Sequence, residues 1–393
     1  MNKLEKRTIL LNTLFQFGYN LASNFLSVYL FVYADSLITM SIYTIIRIGL
    51  FPVFFMLGNK ITQRRPFAAT YAIGLALMTC SLVYAISATK LFEINGNFVL
   101  IAAAITGVGE GFYWYSSNTC NQIVPSIDSR AQFLSINGIC SNIISLVAPF
   151  VATQVLKLSK SDLNGYRIIL YMITIAYLSV IFVALKIDKK ADRKNSSISQ
   201  AMSLNDDKWR KHIEGVFFYG LRESLGLTLM GILLYNATGS GKLYSRLQMV
   251  FAIIGIVFFR MLTKFLTKDK IKNTFRIGMV LRIASAVLLV VFNNMAGAIA
   301  YGVVNALACV LYDNSYSFIS ANIIATYPEQ MSERVVAKEI YLSISRCTGM
   351  AIVVLFYLIL PEQLYLIVSV ILLSLAPIVS YNVLINAYNK YIR

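Results

Sequence analysis

Runs of about 20 apolar residues recur from one end of this chain to the other, and no other feature narrows its fold as far. An α-helix rises about 1.5 Å per residue, so such a run crosses the roughly 30 Å of bilayer hydrocarbon. Only helices and closed barrels satisfy their own backbone hydrogen bonds there. The sequence predicts twelve spans, at about 8–31, 39–58, 66–88, 96–119, 131–155, 165–186, 212–235, 245–266, 275–293, 296–323, 336–360 and 363–386. A barrel would alternate polar and apolar residues in segments of about ten, whereas these runs are continuous. The fold class is an all-α integral membrane protein, multi-pass and surrounded by lipid. Composition agrees: 58% of residues are hydrophobic and 13% charged, with a mean hydropathy of +0.67. Lys3, Lys6 and Arg7 lead into a first run that is too long for a cleaved signal peptide and lacks a small-residue cleavage site, so a retained helix is expected.

A net charge of +17 raises the question of nucleic acid, and the placement of the charge answers it. If residue 1 is cytoplasmic, 25 of the 35 Lys and Arg fall on the inner side, six in outer connections and four deep in spans. That asymmetry is a topology signal that puts both termini in the cytoplasm of a cell-membrane protein. No nucleic-acid partner is expected. Cys80, Cys120, Cys140, Cys309 and Cys347 lie within or at the ends of spans without CxxC spacing, and so read as small apolar packing residues. No metal or cofactor is expected, and the expected assembly is a monomer.

The longest polar stretch, "KIDKKADRKNSSISQAMSLNDDKWRKH", separates two nearly equal halves. The domains are expected at 1–186 and 212–393, joined by a cytoplasmic linker over 187–211. The halves repeat one pattern. Glu110 precedes Pro125 by fifteen residues and Asp313 precedes Pro328 by fifteen; each proline leads to an arginine, Arg130 in "PSIDSR" and Arg334 in "PEQMSER". Gly18 stands opposite Gly220, and "VFFMLGNK" opposite "VFFRMLTK", at nearly the same offset. Several pairs in one order at one offset indicate a tandem repeat.

Two parallel six-helix repeats, both termini inside, and a long central loop resemble the major facilitator superfamily of secondary transporters. The loop after the second span, "GNKITQRRPF", keeps the family's glycine and basic positions as Gly58, Lys60, Arg64 and Arg65. Thr62 stands where the family places an acid, so the resemblance supplies no gating salt bridge there. In span 5, "LVAPFVAT" keeps Pro149 of the drug-exporter signature with Ala148 and Ala152 in place of glycines, while the arginine of span 4 in those exporters is missing. The resemblance implies two pseudo-symmetric six-helix bundles, alternating access and a small-molecule substrate.

Charges deep in a span cost about 2.5–3.5 kcal/mol each on insertion scales and so mark function or partnership. The acids are Glu110, Glu223 and Asp313, and the bases Arg47, Arg222, Arg282 and Arg346. Glu110 sits in "ITGVGEGFYWYSSNTC", with Trp114 and Asn118 on its helical face and Gly107 and Gly111 permitting close approach of a neighbour. It either handles a proton or substrate, or pairs with an arginine to lock two helices. Glu110, Asp313, Arg222, Glu223 and Arg346 are the expected proton-coupling or substrate-binding residues. Asn20, Asn24, Arg47, Tyr113, Trp114, Asn118, Asn137, Asn142, Tyr316 and Ser317 are the expected cavity lining. Arg282, near the inner end of span 9, is expected to snorkel to headgroups, and His212 to sit at the interface.

Motifs for an intramembrane enzyme are missing: there is no paired aspartate within a span, GxSxG, HExxH or Walker loop. The expected function is secondary active transport by alternating access, as proton-coupled export of an amphiphilic or drug-like molecule. The alternative is transport of an anionic solute or anionic lipid headgroup.

Overall fold

A computed structural model describes residues 1–125, 129–189, 198–262, 270–292 and 294–391. The chain divides into two compact units, Met1–Lys194 and Asn195–Arg393. The first holds six long helices: α1 (Lys3–Ala34), α2 (Leu37–Thr62), α3 (Phe67–Ser87), α4 (Val99–Ile123), α5 (Arg130–Leu158) and α6 (Asp162–Ala184). The second holds α7 (Asp207–Thr238, bent at Thr228), α8 (Gly241–Leu262), α9 (Ile271–Val291), α10 (Met295–Ala325), α11 (Met331–Ile359) and α12 (Glu362–Tyr391). Eleven helices of the described residues are long and apolar enough to cross a membrane. Helix α1 brings the expected twelfth by length, 32 residues, but Asn12, Gln16, Asn20 and Asn24 dilute its apolar face.

The helix ends follow from local chemistry. Asn2 and Glu5 form a reciprocal capping box at the start of α1, each side chain accepting the other's backbone N–H at 2.8 and 2.7 Å. Asp35 ends α1 in the left-handed region, φ 44°, and the next residue, Ser36, caps α2. One residue stops a helix and its neighbour starts another, giving a tight hairpin.

Each unit uses one packing plan. In the first, α1 packs on α5 and α6, α3 on α4 and α6, and α2 on α4; in the second, α7 packs on α11 and α12, α9 on α10 and α12, and α8 on α10. The correspondence reaches single residues. A Cβ on Gly74 of α3 would stand 2.7 Å from Gly109 O and Tyr113 N of α4; one on Gly278 of α9 would stand 2.5 Å from Tyr312 N of α10. The two glycines are 204 positions apart, the offset that relates Arg130 to Arg334. The duplication read from the sequence is thus repeated in the helix crossings.

Within the stretch expected to be linker, a short helix Ile198–Met202 packs on α11, where Tyr341 donates to Met202 O at 2.8 Å. Helix α7 starts at Asp207, before the expected residue 212, because Asp206 caps it by accepting N–H from Lys208 and Trp209. Tyr327 also donates to Asp206. Burial pushes the Asp206 carboxyl up, but the Tyr327 bond, the two backbone bonds and the Arg334 charge outweigh it and hold the carboxyl below the usual range. Such a depressed acid stabilises the fold above its unfolded-state pKa, and the contribution is lost as pH falls through the folded value. Asp206→Ala is expected to cost about 1 kcal/mol at neutral pH, the usual worth of a cap, and less at low pH; unfolding curves at both pH values check this.

His212 is fully buried, which corrects the interfacial expectation. Its Nε2 lies 2.9 Å from Ser320 Oγ and its ring packs on Trp209. The polarity that suggested an interface is answered by a hydroxyl inside the bundle.

Candidate functional site

In the first unit the sequence brings Arg47 of α2 to Glu110 of α4. Arg47 Nε donates to Glu110 Oε2 at 2.8 Å and Nη2 to Oε1 at 2.5 Å, a two-pronged pair in which Glu110 is 3% exposed. Glycines make the approach possible: a Cβ on Gly107 would overlap the Arg47 carbonyl, and one on Gly111 would stand 2.8 Å from Phe51 O. Of the two readings the sequence leaves open for Glu110, the arginine lock is the arrangement present. No acid remains at the loop after α2, where Thr62 donates to Tyr115 OH at 3.0 Å and Tyr115 donates to Asn59 at 2.9 Å. Neutral bonds stand there in place of a salt bridge.

Beside the pair lies an aromatic cluster. Phe15 stacks on Tyr113 at 3.6 Å and meets Trp114 edge-on, while Tyr19 also packs against Trp114. Tyr113 is fully buried between Phe15 and Tyr71, so it is a core residue and not the cavity lining expected of it; its backbone is what Gly74 allows α3 to approach. Trp114 and Asn118 are partly exposed. Asn24 donates to Asn20 O at 2.8 Å, within α1. Asn12, absent from the expected set, donates to Asn121 at 2.8 Å and to Asn137 at 3.0 Å, which ties α1 to α4 and α5. The Asn142 side chain lies outside the described residues.

The second unit pairs its charges differently. Arg346 of α11 donates to Glu223 of α7 from Nε at 3.1 Å and Nη2 at 2.8 Å. Glu339 pairs with Lys338 at 3.1 Å. Arg282 of α9 is buried and does not snorkel: Nη1 donates to Asn305 Oδ1 at 2.7 Å and Cys309 Sγ at 2.9 Å, and Nη2 lies 3.6 Å from Asp313 Oδ2. Tyr219 donates to the other Asp313 oxygen at 3.2 Å and stacks on Tyr316 at 3.7 Å. Ser317 is exposed.

One feature of α10 accounts for that ladder. Residues eight apart on an ideal helix are displaced by about 80°, so Asn305 and Asp313 would diverge. A π-helical turn at Cys309–Asp313 absorbs one extra residue, which returns Asn305, Cys309 and Asp313 to one face, toward Arg282. The snorkelling expectation rested on the position of Arg282 near the inner end of span 9, and periodicity at 3.6 residues gave no hint of the partners that hold it inside.

Arg222 of α7 has no such ladder. It is 2% exposed, and its Nε and Nη1 are buried without a hydrogen-bond partner among the described residues. Its electrostatic neighbours are Arg282, Tyr301, Cys309 and Asp313. Glu223, next in sequence, points to Arg346 instead, as the 100° turn between adjacent residues requires. Among the described residues, the deep acids of this unit each have a basic partner, and Arg222 is left over. Among the same residues, no group of three or more His, Cys, Asp or Glu is placed to hold a metal ion.

Comparison with known proteins gives one consistent result. A family model described as Major Facilitator Superfamily matches residues 8–354. "Uncharacterized protein YqgE" of Bacillus subtilis (strain 168) is 20% identical over 374 residues, covering 94% of this chain and 86% of its own. Among solved structures, nucleoside transporter NupG has a TM-score of 0.71 at 12% identity, covering 98% of this chain and 99% of its own. A bacterial homologue of the iron transporter ferroportin, inward-facing, has a TM-score of 0.70 at 13% identity and covers 98% of each chain. At these identities the likeness is one of fold.

Proposed function

Because the chain belongs to the major facilitator superfamily, and so is a multi-pass membrane transporter and not an enzyme, we propose that it is a secondary active transporter of an anionic solute. One observation carries the choice: Arg222 is buried without a hydrogen-bond partner for Nε or Nη1, while Glu110, Glu223 and Asp313 each have an arginine. A permanent charge taken out of water without a partner is strongly unfavourable, and a bound anion removes the penalty. Binding would act on transport through its differential affinity for inward-open and outward-open forms. The distribution of basic residues supports placing both termini in the cytoplasm.

The test is uptake of labelled organic anions into proteoliposomes. Arg222→Gln is expected to reduce anion uptake to background, whereas Arg222→Lys, which keeps the charge, retains part of it. Full anion uptake by Arg222→Gln contradicts the proposal.

A second reading, proton-coupled export of an amphiphilic or drug-like molecule, draws on the cluster of Phe15, Tyr19, Tyr113 and Trp114 beside the Glu110–Arg47 pair. It requires that Glu110→Gln and Asp313→Asn alter substrate-driven proton movement in liposomes.

A further inference from the structure

The surroundings of Arg222 specify more than the sign of a ligand. Arg222 lies one helical turn from Tyr219, whose hydroxyl donates to Asp313 at 3.2 Å, and Asp313 lies 3.6 Å from Arg282, so two guanidinia stand in the interior of the second unit around one carboxylate. Among the described residues, Tyr219, Tyr301, Tyr312, Cys309 and Asn305 also neighbour one or both of them, and these side chains carry no charge in their ordinary form. Among the described residues, three N–H positions of the two guanidinia lack partners: Nε and Nη1 of Arg222 and Nε of Arg282. The nearby acids Glu223 and Glu339 are held by Arg346 and Lys338. Two positive charges and one negative leave a single positive charge uncompensated.

We propose that Arg222, Arg282 and Asp313 form a charge-counting site that takes one monoanion, a carboxylate or similar small oxyanion with two acceptor oxygens, and discriminates against dianions. The proposal rests on the anionic-solute reading above and adds the charge that the solute carries. In this arrangement Arg222 is the primary ligand, because its N–H groups are free to converge on an oxyanion. Arg282 is positioned by Asn305 and Cys309 and contributes charge and its free Nε. Asp313 sets selectivity: it cancels one guanidinium, so a singly charged ligand brings the buried site to neutrality and a doubly charged one overshoots. In a low-dielectric interior an uncancelled charge is penalised in either direction, which makes net charge the quantity selected.

The π-helical turn fits this role. It presents Asn305, Cys309 and Asp313 together to Arg282, so the charge on that face is set by two side chains that differ from their charged or neutral counterparts by one atom. Asp313→Asn removes a negative charge from the site, and Asn305→Asp adds one, each with little change of shape.

The experiment measures binding of sodium acetate and nitrate against sodium malonate and sulfate to the full chain in detergent at constant ionic strength, by ligand-dependent thermal stabilisation. The parent protein is expected to be stabilised by the monoanions over the dianions. Asp313→Asn, with two uncompensated charges, is expected to reverse that order, with dianions gaining about tenfold in affinity, the effect of roughly one charge-assisted bond. Asn305→Asp and Arg222→Gln, each bringing the count to zero, are expected to lose monoanion binding. The double variant Arg222→Gln with Asp313→Asn restores a single charge and is expected to recover part of it. Cys309→Ser is expected to leave the order unchanged.

Failure of every monoanion to stabilise the parent protein overturns the anionic-solute reading itself. Monoanion binding whose order is unaltered in Asp313→Asn, and which survives in Asn305→Asp, overturns the charge count and leaves that reading standing. Should Asp313→Asn aggregate on gel filtration, Asn305→Asp carries the decision, since it changes the same charge from a different position of α10.

Discussion

Glu110→Gln is expected to destabilise the protein by about 3–5 kcal/mol, the cost of leaving one member of a buried ion pair without its partner. The geometry makes the loss large. Glutamine has a single carbonyl oxygen where the carboxylate offers two, so the contacts at 2.8 and 2.5 Å to Arg47 cannot both survive, and the Arg47 charge stays where Gly107 has let α2 approach α4. Arg47→Met alone strands the carboxylate and is expected to cost a comparable amount. The double variant Arg47→Met with Glu110→Leu, apolar at both positions, is expected to be far less destabilised than the sum, because matched apolar replacements of buried pairs are often neutral. Denaturant or thermal unfolding of the parent, Arg47→Met, Glu110→Leu and their double variant closes the cycle. Additive single effects contradict the lock, as does a Glu110→Gln protein as stable as the parent.

The second large effect is steric. Gly107→Val is expected to destabilise by about 3 kcal/mol or more, at or beyond the upper end of ordinary overpacking. The obstruction is the Arg47 backbone, whose Cα would lie 2.9 Å from a Cβ at 107, and not the end of a side chain that can swing away. Moving α2 outward to relieve it also lengthens the bonds to Glu110, so the steric and electrostatic losses are coupled. Gly255→Ala in α8, with nothing within 4 Å of the added Cβ, is the contrasting case: no loss is expected, and removing a helical glycine gains up to about 1 kcal/mol. Equal behaviour of the two variants in unfolding measurements contradicts the close-approach account.

What the sequence conveyed about this molecule follows the physics of each signal. Span number and the tandem repeat were legible because bilayer thickness fixes the length of an apolar run, and the duplicated residues kept a nearly constant spacing. Gly107 and Gly111 were legible as approach points for the same reason: on a regular helix, spacing of four places them on one face. Arg282 was assigned to the headgroups from its nearness to the inner end of span 9, and the ladder of Asn305, Cys309 and Asp313 that holds it inside depends on a π turn that helical periodicity does not encode. Tyr113 was assigned to a cavity from its position next to Glu110, whereas the neighbouring face of α4 turns it into the core against Phe15 and Tyr71. The partner of each deep charge lay beyond sequence reasoning, since Arg47 and Glu110 are 63 residues apart and Glu223 and Arg346 are 123 apart. Adjacent charges such as Arg222 and Glu223 give no indication of which is matched until the helices around them are placed.

As proposed, Arg222 is a buried cation awaiting an anion. The most direct measurement is an experimental structure of the protein grown or frozen with 4-bromobenzoate, read by anomalous scattering of the bromine and by density at the guanidinium. A carboxylate is expected within hydrogen-bond distance of Arg222 Nε or Nη1, with Asp313 still beside Arg282 and Glu223 still on Arg346. Arg222 bonded instead to a carboxylate of the protein itself, with the bromine disordered or elsewhere, would contradict it.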